Sequence, residues 1–397
     1  MTTPLADHAL LVLQRFHQQP GPLDLLLDLH FREHGQLGAR DRRWIRQVVY
    51  EVMRHRRWLA YQLALPEEQV TFSQWIAAAA EEKNQQEMDS DVSPAVRHSL
   101  PDWFWEKLQT CWQDQALPLA AASNRPASVD LRVHRISREK ALQTLNEAGI
   151  AASATPYSPD GIRLVEHQPL HQFPLFQSGA LEIQDEGSQL ISRVVAPSPG
   201  ETVVDLCAGA GGKTLHLASL MKNKGRLLAS DQSEARLSRL LPRARRAGVR
   251  ILSTLPLRHE RDPKLAAWAG KAQRVLVDAP CSGSGTLRRN PEIKWRLTPD
   301  TVAGLPPRQH ALLEAGAALV AVGGRLVYAT CSLFCEENRQ VVEGFLQQNP
   351  QFRLLDVVDI LTRQGVAGLP DGKGYLSLAP HVTASDGFFV AALQRLR

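Results

Sequence analysis

Apolar residues recur at helical spacing over the first ~80 positions of this chain. Ile45, Val48, Val49, Val52 and Met53 share one face of a predicted helix, with Asp41 placed as its N-cap. The run 81–91 is polar and acidic, lacks periodicity, and reads as a linker. The pattern shortens to alternation at Val129, Leu131 and Val133, turns helical over 138–148, and shortens again over 162–165. That predicts a small α/β module. From Gly200 onward five strand candidates (202–207, 226–230, 250–253, 274–278 and 325–330) are mostly separated by helical patterns, the signature of a doubly wound, mostly parallel sheet. Two more strand-like runs, 375–379 and 388–393, have no helix between them and predict an antiparallel hairpin at the sheet edge. The expected domains are a helical one at 1–90, a linker helix with the small α/β module at 91–172, and the large α/β domain at 173–397.

Composition narrows the class. The 397 residues suffice for two or three cores, and no stretch is apolar for the ~18 residues that a membrane span needs. Positions 1–16 carry acidic and polar residues where a signal peptide would be apolar, so a cytoplasmic protein is expected. Five cysteines at no framework spacing argue against a disulfide scaffold. The net charge is +5, and its distribution says more. Arg40, Arg42, Arg43, Arg46, Arg54, Arg56 and Arg57 crowd one segment; Arg236, Arg239, Arg243, Arg245 and Arg246 another; Arg288, Arg289, Lys294 and Arg296 a third. One such cluster is ordinarily a solvated helix face, but three on one chain point to a polyanionic partner.

Chemistry concentrates at three predicted strand ends. The run from Asp205 to Thr214 reads Asp-Leu-Cys-Ala-Gly-Ala-Gly-Gly-Lys-Thr. Cys207 stands where a P-loop needs its first glycine, and Thr214 where a dinucleotide fingerprint needs its third, so both matches fail. Asp231, about twenty residues on, is placed to accept hydrogen bonds from a ribose. Glycine loop and acid together fit an adenosine-containing cofactor. Asp278-Ala-Pro-Cys-Ser-Gly-Ser-Gly285 follows one strand and Thr330-Cys-Ser332 the next. If those strands are neighbours, Asp278, Cys281 and Cys331 face one crevice with the cofactor. The set suits methylation of cytosine carbon 5: a thiolate added at carbon 6 makes carbon 5 nucleophilic, and a carboxyl near ring nitrogen 3 assists. A lone cysteine is ordinarily a small buried hydrophobe, the reading kept for Cys111, Cys207 and Cys335. Zinc on Cys281, Cys331 and Cys335 lacks a second cysteine pair or a nearby histidine, and no metal is expected.

These runs, with 285–296 (Gly-Thr-Leu-Arg-Arg-Asn-Pro-Glu-Ile-Lys-Trp-Arg), 184–189 and 386–389, resemble the Nop/Sun family of RNA 5-methylcytosine methyltransferases from about Phe173 to the C-terminus. More weakly, 40–58 is similar to the NusB-like helical domain of that family's bacterial small-subunit ribosomal RNA enzymes. The resemblance implies a Rossmann-like class I methyltransferase domain with a mostly parallel seven-stranded sheet, preceded by a small α/β (RRM-like) module and a NusB-like RNA-binding domain. It implies S-adenosyl-L-methionine as cofactor, held by Cys207, Ala208, Gly209, Ala210, Gly211, Gly212 and Lys213, with Asp231 on the ribose and Asp278 where cofactor and base meet. Cys331 would be the nucleophile, Cys281 would help release product, and Lys213 would point into the active site. DNA cytosine methyltransferases carry their nucleophile in the Pro-Cys motif instead. The implied partner is RNA, small-subunit ribosomal RNA on the strength of the N-terminal likeness, with transfer RNA as the other candidate; a monomer is expected. Ala210 departs from the family's usual proline. An acid contacting adenine after the third strand is sought at Glu260 or Asp262.

Overall fold

The computed structural model describes residues 4–81, 91–166, 168–370 and 372–397. The linker expected at 81–91 lies outside them but for its two ends. The chain divides into two compact units, Met1–Pro126 with Thr286–Val302, and Ala127–Gly285 with Ala303–Arg397. The expected boundaries at 90/91 and 172/173 do not coincide with this division.

The first unit is helical: α1 Pro4–Gln18, α2 Leu23–Glu33, α3 Ala39–Gln62, α4 Phe72–Ala80, α5 Pro94–Arg97, α6 Asp102–Trp112 and α7 Ala116–Ser123. The apolar stripe of α3 (Ile45, Val48, Val49, Val52, Met53) packs on Val12, Leu13 and Phe16 of α1 and Leu23 and Leu27 of α2. Asp41 is not the N-cap. Gly38 is, and Asp41 sits three residues on, where its carboxylate accepts from the Gly38 N–H at 2.9 Å.

Much of the arginine-rich stretch of α3 is spent on structure. Arg54 is 3 % exposed and donates to the Arg288 carbonyl. Arg56 pairs with Glu67 at 2.7 Å and lies over the Trp75 and Trp295 rings. Arg57 pairs with Asp102 at 2.8 Å and donates to the Leu100 carbonyl. Arg40 and Arg43 stay exposed.

The segment 286–302, expected in the large α/β domain, is part of this helical unit. Its Lys294 is 1 % exposed. The ammonium donates to the carbonyls of Arg54 (2.9 Å) and His98 (3.2 Å) and to Asn124 Oδ1 (2.5 Å). Burial, and then Arg54, push its pKa well below the lysine value. Three acceptors, the most an ammonium can engage, are what hold it there. Trp295 adds a 2.7 Å bond to the Met53 carbonyl. Sequence proximity to Arg288, Arg289 and Arg296 had placed Lys294 among the RNA contacts, but its burial removes it from them.

The second unit holds two sheets. Strands β1 Asp130–Val133, β2 Ala152–Ala154, β3 Gly161–Leu164 and β4 Leu181–Ile183, with α8 Arg138–Glu147 and α9 Pro174–Gln177, form a βαββαβ module of order β2-β3-β1-β4, all pairs antiparallel. The larger sheet comprises β5 Thr202–Asp205, β6 Arg226–Asp231, β7 Leu252–Pro256, β8 Ala272–Asp278, β9 Val320–Thr330, β10 Phe352–Leu355, β11 Leu376–Leu378 and β12 Phe388–Arg395. Its order is β10-β12-β9-β8-β5-β6-β7, with β11 also paired to β12. The seven strands of that path are the expected seven-stranded, mostly parallel sheet, and β11 adds an eighth. Five strands, β5 to β9, run parallel, and the other three are antiparallel additions. The expected edge hairpin is corrected: β11 pairs with β12, but β12 lies inside the sheet between β9 and β10, its first six residues buried.

Alternation along the strands feeds two cores. Val204, Val275, Val277, Leu326 and Tyr328 face one way, onto Leu312, Leu313 and Phe345. Val203, Leu276, Val327 and Ala329 face the other, onto Leu190, Ile191 and Val194 of α10 Glu186–Val195. Among the described residues no helix is long and apolar enough to cross a membrane.

Lys294→Ala should cost the helical unit roughly 2–4 kcal/mol, because three buried acceptors lose their donor together. Denaturant unfolding of the full chain checks this; an unchanged midpoint would mean Lys294 is not an anchor.

Candidate active site

The site lies at the carboxyl ends of β5, β6, β8 and β9, where an open parallel sheet leaves its crevice. After β5 the chain turns through Leu206–Gly211 into α11 Gly212–Leu220. Gly211 caps that helix at φ +88, and a Cβ there would strike Leu240 of α12 Glu234–Arg246. Only glycine fits both the backbone and the space. Asp231, at the end of β6, is 8 % exposed. Its two oxygens accept from the Gly209 and Ser233 N–H groups, each at 2.8 Å, so one carboxylate joins the glycine loop to the next βα turn.

Asp205 is buried and accepts from Thr214 Oγ1 at 2.7 Å, while its Oδ1 is buried with no partner among the described residues. Burial raises its pKa to about 7, against the Thr214 hydrogen bond. Cys207 packs against the core and burial pushes its thiol well up, consistent with the hydrophobe reading. A Cβ on Gly212 would meet nothing within 4 Å, so open space lies over the helix N-terminus.

Arg243, from the second basic cluster, buttresses this loop. It donates to the Ala210 carbonyl at 2.6 Å and pairs with the buried Glu182 at 2.8 Å; Arg246 pairs with Glu182 as well. These two are structural ties, not free phosphate contacts. Arg236, Arg239 and Arg245 remain exposed. Of the two acids sought after the third strand, Asp262 caps its own turn, accepting from the Arg258 and Lys264 N–H groups, which hold it down to about 2. Glu260 accepts from Gln232, next to Asp231, at 3.3 Å.

Across the loop, Lys213 Nζ is 2.8 Å from Asp278 Oδ2, with the side chains 12 % and 28 % exposed. Burial opposes the ammonium charge, but Asp278 outweighs it and the lysine pKa rises. The Phe388 ring lies 5.6 Å from the same ammonium. Cys281 and Cys331 stand with their sulfurs 3.2 Å apart, and the Cys331 N–H points at Cys281 Sγ at 3.3 Å. The contact with Cys331, and then burial, push the Cys281 thiol well above the usual value.

One carboxylate that the sequence reading passed over holds this pair together. Glu337 has no exposure. Its Oε2 accepts from the Ser282 N–H (2.8 Å) and Gln309 Nε2 (2.9 Å), and its Oε1 from Ser332 Oγ (2.5 Å). Ser282 and Ser332 follow the two cysteines directly, so Glu337 binds the residue after each. The Ser282, Ser284 and Ser332 hydroxyls interlock at 3.0–3.3 Å. Gly285 packs against the same loop, its N–H bonded to the Cys331 carbonyl at 2.9 Å; a Cβ there would lie 2.1 Å from the Gly387 oxygen. The available signal was an acid six residues after a cysteine at a strand end, which is indistinguishable in sequence from a surface glutamate.

A glycine-loop turn closed by an acid on the next strand, over a parallel sheet extended by antiparallel strands, defines a Rossmann-like methyltransferase domain. A profile described as "16S rRNA methyltransferase RsmB/F" matches residues 192–394, and one described as "Methyltr_RsmF/B-like, ferredoxin-like domain" matches 100–171. The chain is 36 % identical over 324 residues to a "Probable ribosomal RNA small subunit methyltransferase B" of Synechocystis, covering 80 % of this chain and 71 % of that one. It is 36 % identical over 305 residues to a "Ribosomal RNA small subunit methyltransferase B" of Klebsiella pneumoniae, covering 76 % and 67 %. A solved methyltransferase homologue from Pyrococcus horikoshii superposes with a TM-score of 0.65 at 29 % identity, over 76 % of this chain and 98 % of that one. The chain belongs to the RsmB/F methyltransferase family.

Glu337→Ala should destabilise the second unit by about 3 kcal/mol or more, since three buried donors lose one shared acceptor. Glu337→Gln should recover only part, because its amide hydrogens would face donors. Denaturant midpoints of the three proteins test this, and equal midpoints would discard Glu337 as the tie between the loops.

Proposed function

We propose that this protein methylates carbon 5 of a cytosine in 16S ribosomal RNA, using S-adenosyl-L-methionine and a covalent adduct on Cys331. The observation that carries the reading is the pair of sulfurs 3.2 Å apart at the ends of neighbouring strands, beside the Lys213–Asp278 ion pair. The glycine loop fits the cofactor: open space lies over Gly212, Asp231 retains lone pairs for ribose hydroxyls, and Asp205 keeps an unpartnered buried oxygen at the same turn. The holding residues would be 207–213 and Asp231. When bound, S-adenosyl-L-methionine supplies the electrophilic methyl group.

Cys331, as thiolate, adds to carbon 6, and the ring double-bond pair shifts to make carbon 5 nucleophilic. A proton passed from Lys213 through Asp278 to ring nitrogen 3 neutralises the charge as it builds there and returns by the same route when the ring is restored. Once carbon 5 is methylated, its proton must leave. Cys281, having released its own proton to solvent, takes it; the freed pair restores the double bond, and Cys331 departs as thiolate. A thiol with a raised pKa is a strong base once ionised, which suits Cys281 to taking this proton. RNA as substrate is supported by the exposed arginines Arg40, Arg43, Arg236, Arg239 and Arg245 and by the names of the relatives. Ribosomal rather than transfer RNA is supported by those names alone.

Cys331→Ala should abolish turnover and form no adduct. Cys281→Ala should still attack and methylate but fail to release, accumulating protein joined to RNA as a slow band in a denaturing gel. In Cys281→Ala the band should form faster as pH rises, since Cys331 must attack as thiolate. A band in Cys331→Ala instead would reverse the assignment, and a band in neither would remove covalent catalysis.

A further inference from the structure

Three histidines of the helical unit converge. His8 lies on α1, His30 in the last turn of α2, and His34 just past its end. Each offers a ring nitrogen, and these three atoms lie within 4.8 Å of one another. His8 Nδ1 is 3.1 Å from His30 Nε2. Two nitrogens on one tetrahedral zinc, each bonded at ~2.0–2.1 Å, are ~3.3–3.4 Å apart. The first two ligand atoms are therefore already at nearly the right separation.

The third is placed to join them. His30 and His34 are four residues apart across the C-terminal end of α2. The rings touch in all three combinations, with centroids 5.2 Å (His8–His30), 4.7 Å (His8–His34) and 4.4 Å (His30–His34) apart. His34 is the C-cap of α2 (φ −119°, ψ 64°), its N–H bonded to the His30 carbonyl at 3.0 Å, which keeps its ring beside that of His30. A single hydrogen bond accounts for the His8–His30 pair but leaves the third imidazole unexplained. His30 is 2 % exposed while His8 and His34 are half-buried, so the cluster has a buried floor and an open mouth.

We propose that His8, His30 and His34 bind one first-row transition-metal dication, zinc foremost, with the fourth position taken by water. Neutral imidazole is a borderline donor that suits zinc, and three protein nitrogens plus water is a coordination set zinc accepts. The ion would pin α1 to the end of α2. The sequence reading weighed only a cysteine site when it expected no metal; His8 is distant in sequence from the other two histidines, and only His30 and His34 have a regular spacing.

Competing ligands in this chain include its cysteine thiols, Cys281 and Cys331 among them, and the test must separate these from the histidines. The tag-free full chain is titrated with Co²⁺, read by its visible spectrum, and then with Zn²⁺ by calorimetry. One Co²⁺ per chain is expected, with a tetrahedral visible band and no sulfur-to-cobalt charge-transfer band, and Zn²⁺ should displace it. His8→Ala and His34→Ala should each weaken binding by more than about a hundredfold, beyond the loss of an outer partner, while exposed His171→Ala should not. Circular dichroism accompanies each variant. If His8→Ala disturbs α1, His34→Ala decides, since His34 lies outside the helix. Absence of binding at ~10 µM metal, a sulfur charge-transfer band, or equal affinity in parent and His34→Ala would each overturn the site.

Discussion

The arrangement of the two cysteine loops rests on one buried carboxylate. Two loops that leave neighbouring parallel strands would diverge unless something held them, and Glu337 accepts hydrogen bonds from the residue following each cysteine. With no exposure to water, those bonds are not exchanged for solvent, and the interlocked serines stiffen both loops further. A sulfur–sulfur separation of 3.2 Å is the outcome. That contact, with burial, is what raises the Cys281 thiol above its usual value.

The sheet provides the frame for that contact. Parallel pairing of β8 with β9 brings Asp278 opposite Ala329, so the two motifs emerge at the same level. Parallel pairing of β5 with β6 does the same for the glycine loop and Asp231. Antiparallel β12 seals the flank beyond β9 and brings Phe388 to Lys213 and Gly387 to Gly285.

What the sequence disclosed was the part written in local pattern. Strand ends rich in glycine, cysteine and aspartate are visible without a structure, and the alternation of β5 to β9 predicts a two-faced parallel core. Three things were hidden, each for a physical reason. β12 has a continuous apolar run, which looks the same at an edge as in a sheet interior, so its place between β9 and β10 could not be read. Arg54, Arg243 and Lys294 carry charges that composition assigns to the surface. Carbonyls and acids distant in sequence, among them His98 for Lys294 and Glu182 for Arg243, draw them into structure instead. Glu337 resembles any helical glutamate until its three donors are known.

The most direct test is to identify the sulfur that bonds the base. RNA carrying 5-fluorocytidine cannot lose a proton from carbon 5, so an enzyme that attacks carbon 6 stays joined to it. Digestion of the complex and mass spectrometry of the cross-linked peptide should place the nucleotide on Cys331, and only when S-adenosyl-L-methionine is present to complete methylation. A nucleotide on Cys281, or no cross-linked peptide at all, would contradict the account.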